Sequence, residues 1–144
     1  NMSSLPMQGE QILRLIPQRY PMVMVDAVVS YAVDTVVAAL TIQEDNIFLE
    51  NAIFQEVGLL EHMAQTVATH TGYSFFLKNE LAPTGYIGAI QQAEILQLPA
   101  LGDRVESKAV IVQEFMGVTL VHITTFLKGE VIATAQMKTV IASA

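Results

Sequence analysis

From Gln55 to Phe76 the chain carries no proline, and the apolar positions Leu59, Leu60, Met63, Ala64, Val67 and Ala68 recur at helical spacing on more than one face. A helix with one apolar stripe can lie on a surface, but one that is apolar nearly all round has to be enclosed. The rest of the chain must supply that enclosure, and its pattern is that of strands. Met22 to Tyr31 and Thr35 to Ile42 are β-branched and apolar runs separated by the turn-like Ala32-Val33-Asp34. Beyond the turn Leu81-Ala82-Pro83-Thr84-Gly85, a third run spans Tyr86 to Leu98 and stops at Pro99-Ala100-Leu101-Gly102-Asp103. Arg104, Glu106 and Lys108 then alternate with Val105, Ser107 and Ala109, the period of a half-buried strand. Val118 to Leu127 and Val131 to Ile141 are joined by Lys128-Gly129, a tight hairpin signal. Two strands, a buried helix and a further series of strands predict an α+β fold in which an antiparallel sheet encloses the long helix.

Before the first strand, Pro6 suits the first turn of a short helix, with Ile12, Leu13, Leu15 and Ile16 on its apolar side and Pro17 at its end. Residues 43–55, punctuated by Glu44-Asp45-Asn46 and Glu50-Asn51, read as a loop leading into the long helix. A chain of 144 residues can close one core, and a single domain over residues 2–144 is expected.

Composition narrows the partners. Fourteen acidic residues against seven basic ones leave no cationic stripe for a phosphate backbone, so nucleic acid is not an expected partner. With no cysteine, neither a disulfide nor a thiol nucleophile can exist. Three histidines without ligand spacing imply no metal, and no cofactor is implied. Asp26, Ser30, Asp34 and Thr35 interrupt the most apolar stretch, so no membrane span is expected. No charged segment followed by an apolar core opens the chain, and a cytoplasmic protein is expected. At 52% hydrophobic and only 15% charged, the chain has apolar surface to spare, which a subunit interface would cover.

Three stretches resemble one family. Pro17-Gln18-Arg19-Tyr20-Pro21, followed by an apolar run ending at Asp26, resembles the opening of β-hydroxyacyl-acyl-carrier-protein dehydratases. Leu60-Glu61-His62-Met63-Ala64-Gln65 is similar to that family's central-helix motif, and Leu101-Gly102-Asp103 to its turn before the next strand. The three matches keep the family's order and spacing over nearly the whole chain. The resemblance implies the hotdog fold, a lyase acting on acyl thioesters, and a homodimer or a heterodimer with a dehydratase paralogue. Acyl carrier protein or an acyl-CoA thioester would be the partner. In two respects the chain departs: Gln18 stands where the family's opening has a histidine that is not the catalytic one, and where family enzymes carry Gly-His-Phe-Pro with a catalytic histidine, it reads Asn46-Ile47-Phe48-Leu49-Glu50. In this it looks like a divergent branch associated with polyene pigment clusters.

Dehydrating a 3-hydroxyacyl thioester needs a base for the α-proton, an acid for the departing hydroxyl and donors for the thioester oxygen. The family match gives Glu61 one of the first two roles; the other reading is a structural glutamate at a subunit interface. Helix N-terminal amides near Gly58 suit the oxygen, unless that glycine serves only close packing. Gln65 lies one turn beyond Glu61 and could orient its carboxylate, or be a buried amide bonded to backbone. Asn46 can hold a water or a carbonyl, and Glu50 could form a carboxylate pair with Glu61; both could equally be loop residues. His62 points about 100° around the helix from Glu61, so the two do not face one site squarely. Three functions remain open on this basis: dehydratase, a catalytically silent subunit beside an active dehydratase, and acyl thioesterase. Carrier docking would require a local basic patch, with Arg14, Arg19 and Lys78 as candidates.

Overall fold

The computed structural model describes residues 5–141, so the outermost residues of the expected 2–144 domain lie outside the described residues. In chain order the elements are β1 (Met7–Gln8), a 3-10 helix (Gly9–Arg14), β2 (Ala27–Ala32), β3 (Thr35–Thr41), β4 (Leu49–Glu50) and β5 (Ile53–Phe54). They are followed by α1 (Glu56–Leu77), β6 (Gly85–Ile95), β7 (Arg104–Phe115), β8 (Val118–Leu127) and β9 (Glu130–Ile141). Seven strands form one antiparallel sheet in the order β1-β2-β3-β7-β8-β9-β6, and β4-β5 make a separate small hairpin. The sheet wraps α1, which is the hotdog arrangement.

Alternation decides which side chains enter the core. Val36, Ala38, Val105, Ala109, Val121, Ile123, Ala135 and Met137 are buried, as are Leu59, Met63 and Tyr73 of α1. The hairpins at Met116-Gly117 and Lys128-Gly129 place two successive residues at positive φ, 53° and 82° in the first and 52° and 82° in the second. Those angles match the twist of the flanking strands, and the glycine removes the penalty at the second position.

Four boundaries differ from the sequence pattern. The expected helix after Pro6 is a six-residue 3-10 turn that begins only at Gly9, with Ile12 its buried residue. One buried side chain is too little to stabilise a longer α-helix. The run beginning at Met22 becomes a strand only at Ala27, because the backbone of Met22 and Met24 bonds to side chains of α1 instead of to a neighbouring strand. The region read as a loop contains β4 and β5, two residues each and too short for any periodicity to show. The strand that starts at Arg104 runs on to Phe115, past the alternating segment.

Helix α1 is gripped at two glycines. A Cβ on Gly58 would lie 2.6 Å from Phe48 Cβ and from the Phe54 ring, and one on Gly72 would overlap the carbonyl oxygen of Leu15. Gly72 thus lets the segment after the 3-10 helix lie directly on the helix. At the far edge of the sheet, β6 pairs with β9 on one side only and is exposed along most of its length. Among the described residues no helix is long and apolar enough to cross a membrane.

Candidate active site beside the central helix

Two neighbouring residues of α1 meet opposite environments. Glu61 is half-buried and lines a cavity of about 700 Å³, whereas His62 is fully buried against the sheet. This is the 100° offset of consecutive helical residues made concrete.

Gln65 fixes the carboxylate. Its Nε2 donates to Glu61 Oε2 at 2.8 Å and to the Met22 carbonyl at 2.8 Å, while its Oε1 accepts from the Met24 N–H at 2.7 Å. The amide's two donors and its acceptor are all engaged, so Gln65 holds Glu61 in place and ties the helix to the segment before β2. The second carboxylate oxygen of Glu61 has no protein hydrogen bond among the described residues and is free for a ligand.

His62 closes the same segment from the other side. Its Nδ1 lies 2.8 Å from the Met24 carbonyl, which can only accept, so Nδ1 carries the proton and donates. Nε2 is then an acceptor for Ser107 Oγ–H at 3.0 Å, and Ser107 in turn accepts from Thr125 Oγ1–H at 2.6 Å. Burial lowers the His62 pKa from 6.5 to about 4, against the opposing effect of the Met24 carbonyl. The imidazole is therefore neutral at physiological pH, in a chain of bonds that joins α1 to β7 and β8.

The other candidates from the sequence fall as follows. Gly58 is buried in the first turn of α1, three residues before Glu61, with Phe48 and Phe54 packed onto it. Asn46 accepts from the Phe48 N–H through Oδ1 at 2.8 Å, and its Nδ2 approaches Met24 Sδ at 3.4 Å. Glu50 sits exposed on β4; neither it nor Asn46 lines the cavity that Glu61 lines. The structure thus joins Glu61 to Gln65 and does not bring Asn46, Glu50 or His62 to the same cavity.

One wall of the cavity is the segment Leu13–Arg19. It runs antiparallel to α1: the Arg14 guanidinium lies 4.8 Å over the Phe76 ring, Leu15 meets Gly72, and Met22 reaches Gln65. Arg14 and Arg19 both line the cavity, and the Lys78 ammonium stands 4.6 Å over the Phe75 ring just past the end of α1. Sequence reasoning missed that Ala64, Ala68 and Thr71 form the floor. Their small size at the third, seventh and tenth positions after Glu61 was the available signal.

Three comparisons bear on this arrangement. In solved structures, the chain superimposes on the dehydratase heterocomplex ApeI:P from Xenorhabdus doucetiae with a TM-score of 0.84 at 17% identity, covering 96% of this chain and 92% of that one. Among curated proteins it is 30% identical over 142 residues to the 3-hydroxyacyl-[acyl-carrier-protein] dehydratase FabZ of Helicobacter pylori (strain Shi470), covering 92% of this chain and 89% of the relative. It is 28% identical over 138 residues to the FabZ of Actinobacillus pleuropneumoniae serotype 5b (strain L20), covering 88% and 86%. The family model described as ApeP-like, ApeP dehydratase, matches residues 10–143, a span that includes the wall, the helix and every strand of the sheet after β1, and the chain belongs to that dehydratase family.

Proposed function

We propose that this chain acts in the dehydration of 3-hydroxyacyl thioesters carried on acyl carrier protein, with Glu61 as its proton-transfer group. The observation that carries this reading is the Glu61 carboxylate, bonded by Gln65 through one oxygen and left without a protein partner at the other, on the cavity between α1 and the segment Leu13–Arg19. In the reaction a base takes the α-proton, an acid protonates the 3-hydroxyl, and a 2-enoyl thioester and water leave. Glu61 supplies one of these two proton transfers.

No histidine lines the cavity, and the loop where family enzymes carry theirs holds Asn46 and Glu50 outside it. The second proton-transfer group is therefore assigned to a partner subunit. The free edge of β6, with Tyr86, Ile87 and Ile90 exposed, is a strand-pairing surface for that subunit. A dehydratase paralogue that carries the histidine fits this place, and the likeness to a dehydratase heterocomplex supports it over a second copy of this chain. Of the basic residues expected to meet an acidic carrier, Arg14 and Arg19 line the cavity, while Lys78 lies past the end of α1 and outside its lining. Thioester hydrolysis gains no support from any feature of the cavity.

The test is a dehydration assay with 3-hydroxyacyl carrier protein, using this chain alone and co-purified with a histidine-bearing paralogue. The expected result is water loss in the complex and none with Glu61→Gln in the complex. Full activity of the Glu61→Gln complex would overturn the role of Glu61, and full activity of this chain alone would overturn the need for a partner.

A further inference from the structure

His62 is a fully buried titratable side chain to which the proposed reaction gives no proton. Its surroundings define another task. Ser107 and Thr125, both fully buried, stand on β7 and β8, strands with a neighbour on each side. Thr125 donates to Ser107 at 2.6 Å, Ser107 to His62 Nε2 at 3.0 Å, and His62 Nδ1 to the Met24 carbonyl at 2.8 Å, so every donor in the row points the same way. Bonds aligned head to tail polarise one another, and a dry interior offers none of these groups a substitute partner. With its pKa lowered to about 4, the ring stays neutral and keeps this one tautomer at physiological pH. The row ends on backbone that lies outside every strand. The Met22 N–H is bonded to the Arg19 carbonyl at 2.8 Å and the Asp26 N–H to the Ala39 carbonyl at 2.8 Å; between them, among the described residues, the backbone bonds are those to Gln65 and His62. Gln65 accepts the Met24 N–H and donates to the Met22 carbonyl, which leaves its remaining N–H to face Glu61 Oε2. The orientation of that amide follows the segment, and the segment is tied to the sheet by His62.

We propose that His62, which does not reach the cavity, is a positioning residue for Glu61: it fastens the Met24 carbonyl to the middle of the sheet, and the segment so fixed sets Gln65 and, through it, the carboxylate. The inference rests on the proposed function for what Glu61 does, and on the hydrogen bonds alone for how it is held. A histidine that merely filled the space between α1 and the sheet would be replaceable by any side chain of similar volume. A positioning histidine is replaceable only where the donor to Met24 is kept. An asparagine amide carries its N–H groups on the atom attached to Cγ, where imidazole has Nδ1, and a glutamine amide carries them one atom further out, where imidazole has Nε2. His62→Asn therefore keeps the donor to Met24 and gives up Ser107, whereas His62→Gln keeps a partner for Ser107 and leaves the Met24 carbonyl unpaired.

The two variants are compared in the assembly the protein forms, by two readouts. Hydrogen exchange of the Met24 amide and the NMR signals of the Gln65 side-chain amide follow the positioning without any turnover, and kcat and KM with 3-hydroxyacyl carrier protein follow its use. His62→Asn is expected to keep both the exchange rate and kcat within about threefold of wild type. In His62→Gln the Met24 amide is expected to exchange at least about tenfold faster and kcat to fall by about ten- to a hundredfold, the cost of a reacting group displaced by up to an ångström. KM is expected to stay the same, because His62 is not part of the cavity lining. Urea unfolding checks that the two variants are comparably stable, so that a difference in kcat between them reads the place of the N–H and not the amount of folded protein. Ser107→Ala removes one hydroxyl, keeps the imidazole and is expected to give the same signature at about threefold, which serves should His62→Gln not fold. Equal losses of kcat in the Asn and Gln variants overturn the inference, as does a folded His62→Gln with wild-type exchange at Met24. The expected exchange pattern beside a fully active Glu61→Gln complex would count against the proposed reaction and leave the positioning role standing.

Discussion

His62 ought to make this fold sensitive to mild acid. In the unfolded chain the imidazole titrates near 6.5, while in the folded protein burial holds its pKa down at about 4. Between those values the unfolded state binds a proton that the folded state refuses, so stability rises with pH. The contribution is fully present above pH 6.5, declines as the pH falls, and is exhausted near pH 4. Each pH unit in that window is worth about 1.4 kcal/mol, for a total of about 3 kcal/mol, a large share of the stability of an ordinary domain. Asp26 works in the opposite sense, because desolvation raises its pKa above 3.8 despite the bond it accepts from Thr41 N–H, so acid relieves part of its cost. A comparison of wild type with His62→Gln isolates the histidine: urea unfolding at pH 7, 6 and 5 should show the wild type losing stability more steeply than the variant. Parallel pH dependences in the two proteins would refute the argument, whatever their absolute stabilities.

Three further outcomes follow from the same contacts. Gln65→Leu leaves the Met24 N–H and the Met22 carbonyl unpaired and frees Glu61, so urea unfolding should show a loss of about 2–4 kcal/mol; the pH–rate profile of the complex should shift as well, which a purely structural residue would not cause. Ala52 holds φ at 63° in the turn between β4 and β5, and Ala52→Gly should stabilise the protein by about 1 kcal/mol in thermal or urea unfolding. Gly72→Ala should cost more than Gly58→Ala, each beyond about 1 kcal/mol, because the added methyl meets a backbone carbonyl in the first case and phenylalanine side chains in the second; equal losses would show that the wall segment moves aside freely.

Periodicity within one element was enough to read much of this fold. The helix expected over Gln55–Phe76 is found at Glu56–Leu77, and the strand expected over Val118–Leu127 has those same bounds. Even the burial of Ser107 follows from its alternation with Arg104, Glu106 and Lys108. What lies between elements was not legible. Ser107 meets His62 across 45 positions and Met24 meets Gln65 across 41, and no local pattern encodes such a partner. The same limit concealed the cavity. Its floor is spaced along one helix, but its wall is drawn from residues some fifty positions earlier in the chain.

The segment that follows that wall shows how Glu61 is positioned independently of residues 46–50. The segment Met22–Met24 has its backbone satisfied by Gln65 on one side and His62 on the other, and Gln65 uses its remaining donor on Glu61. None of these bonds involves residues 46–50. Asn46 turns its oxygen to the Phe48 N–H and its amide nitrogen to Met24 Sδ, which organises the loop and braces the same segment from outside. The geometry of Glu61 and the identity of the loop residue are therefore separable. The carboxylate, its Gln65 partner and the exposed β6 edge therefore stand without a hydrogen bond from residues 46–50, which is what the proposed site shared with a partner subunit requires.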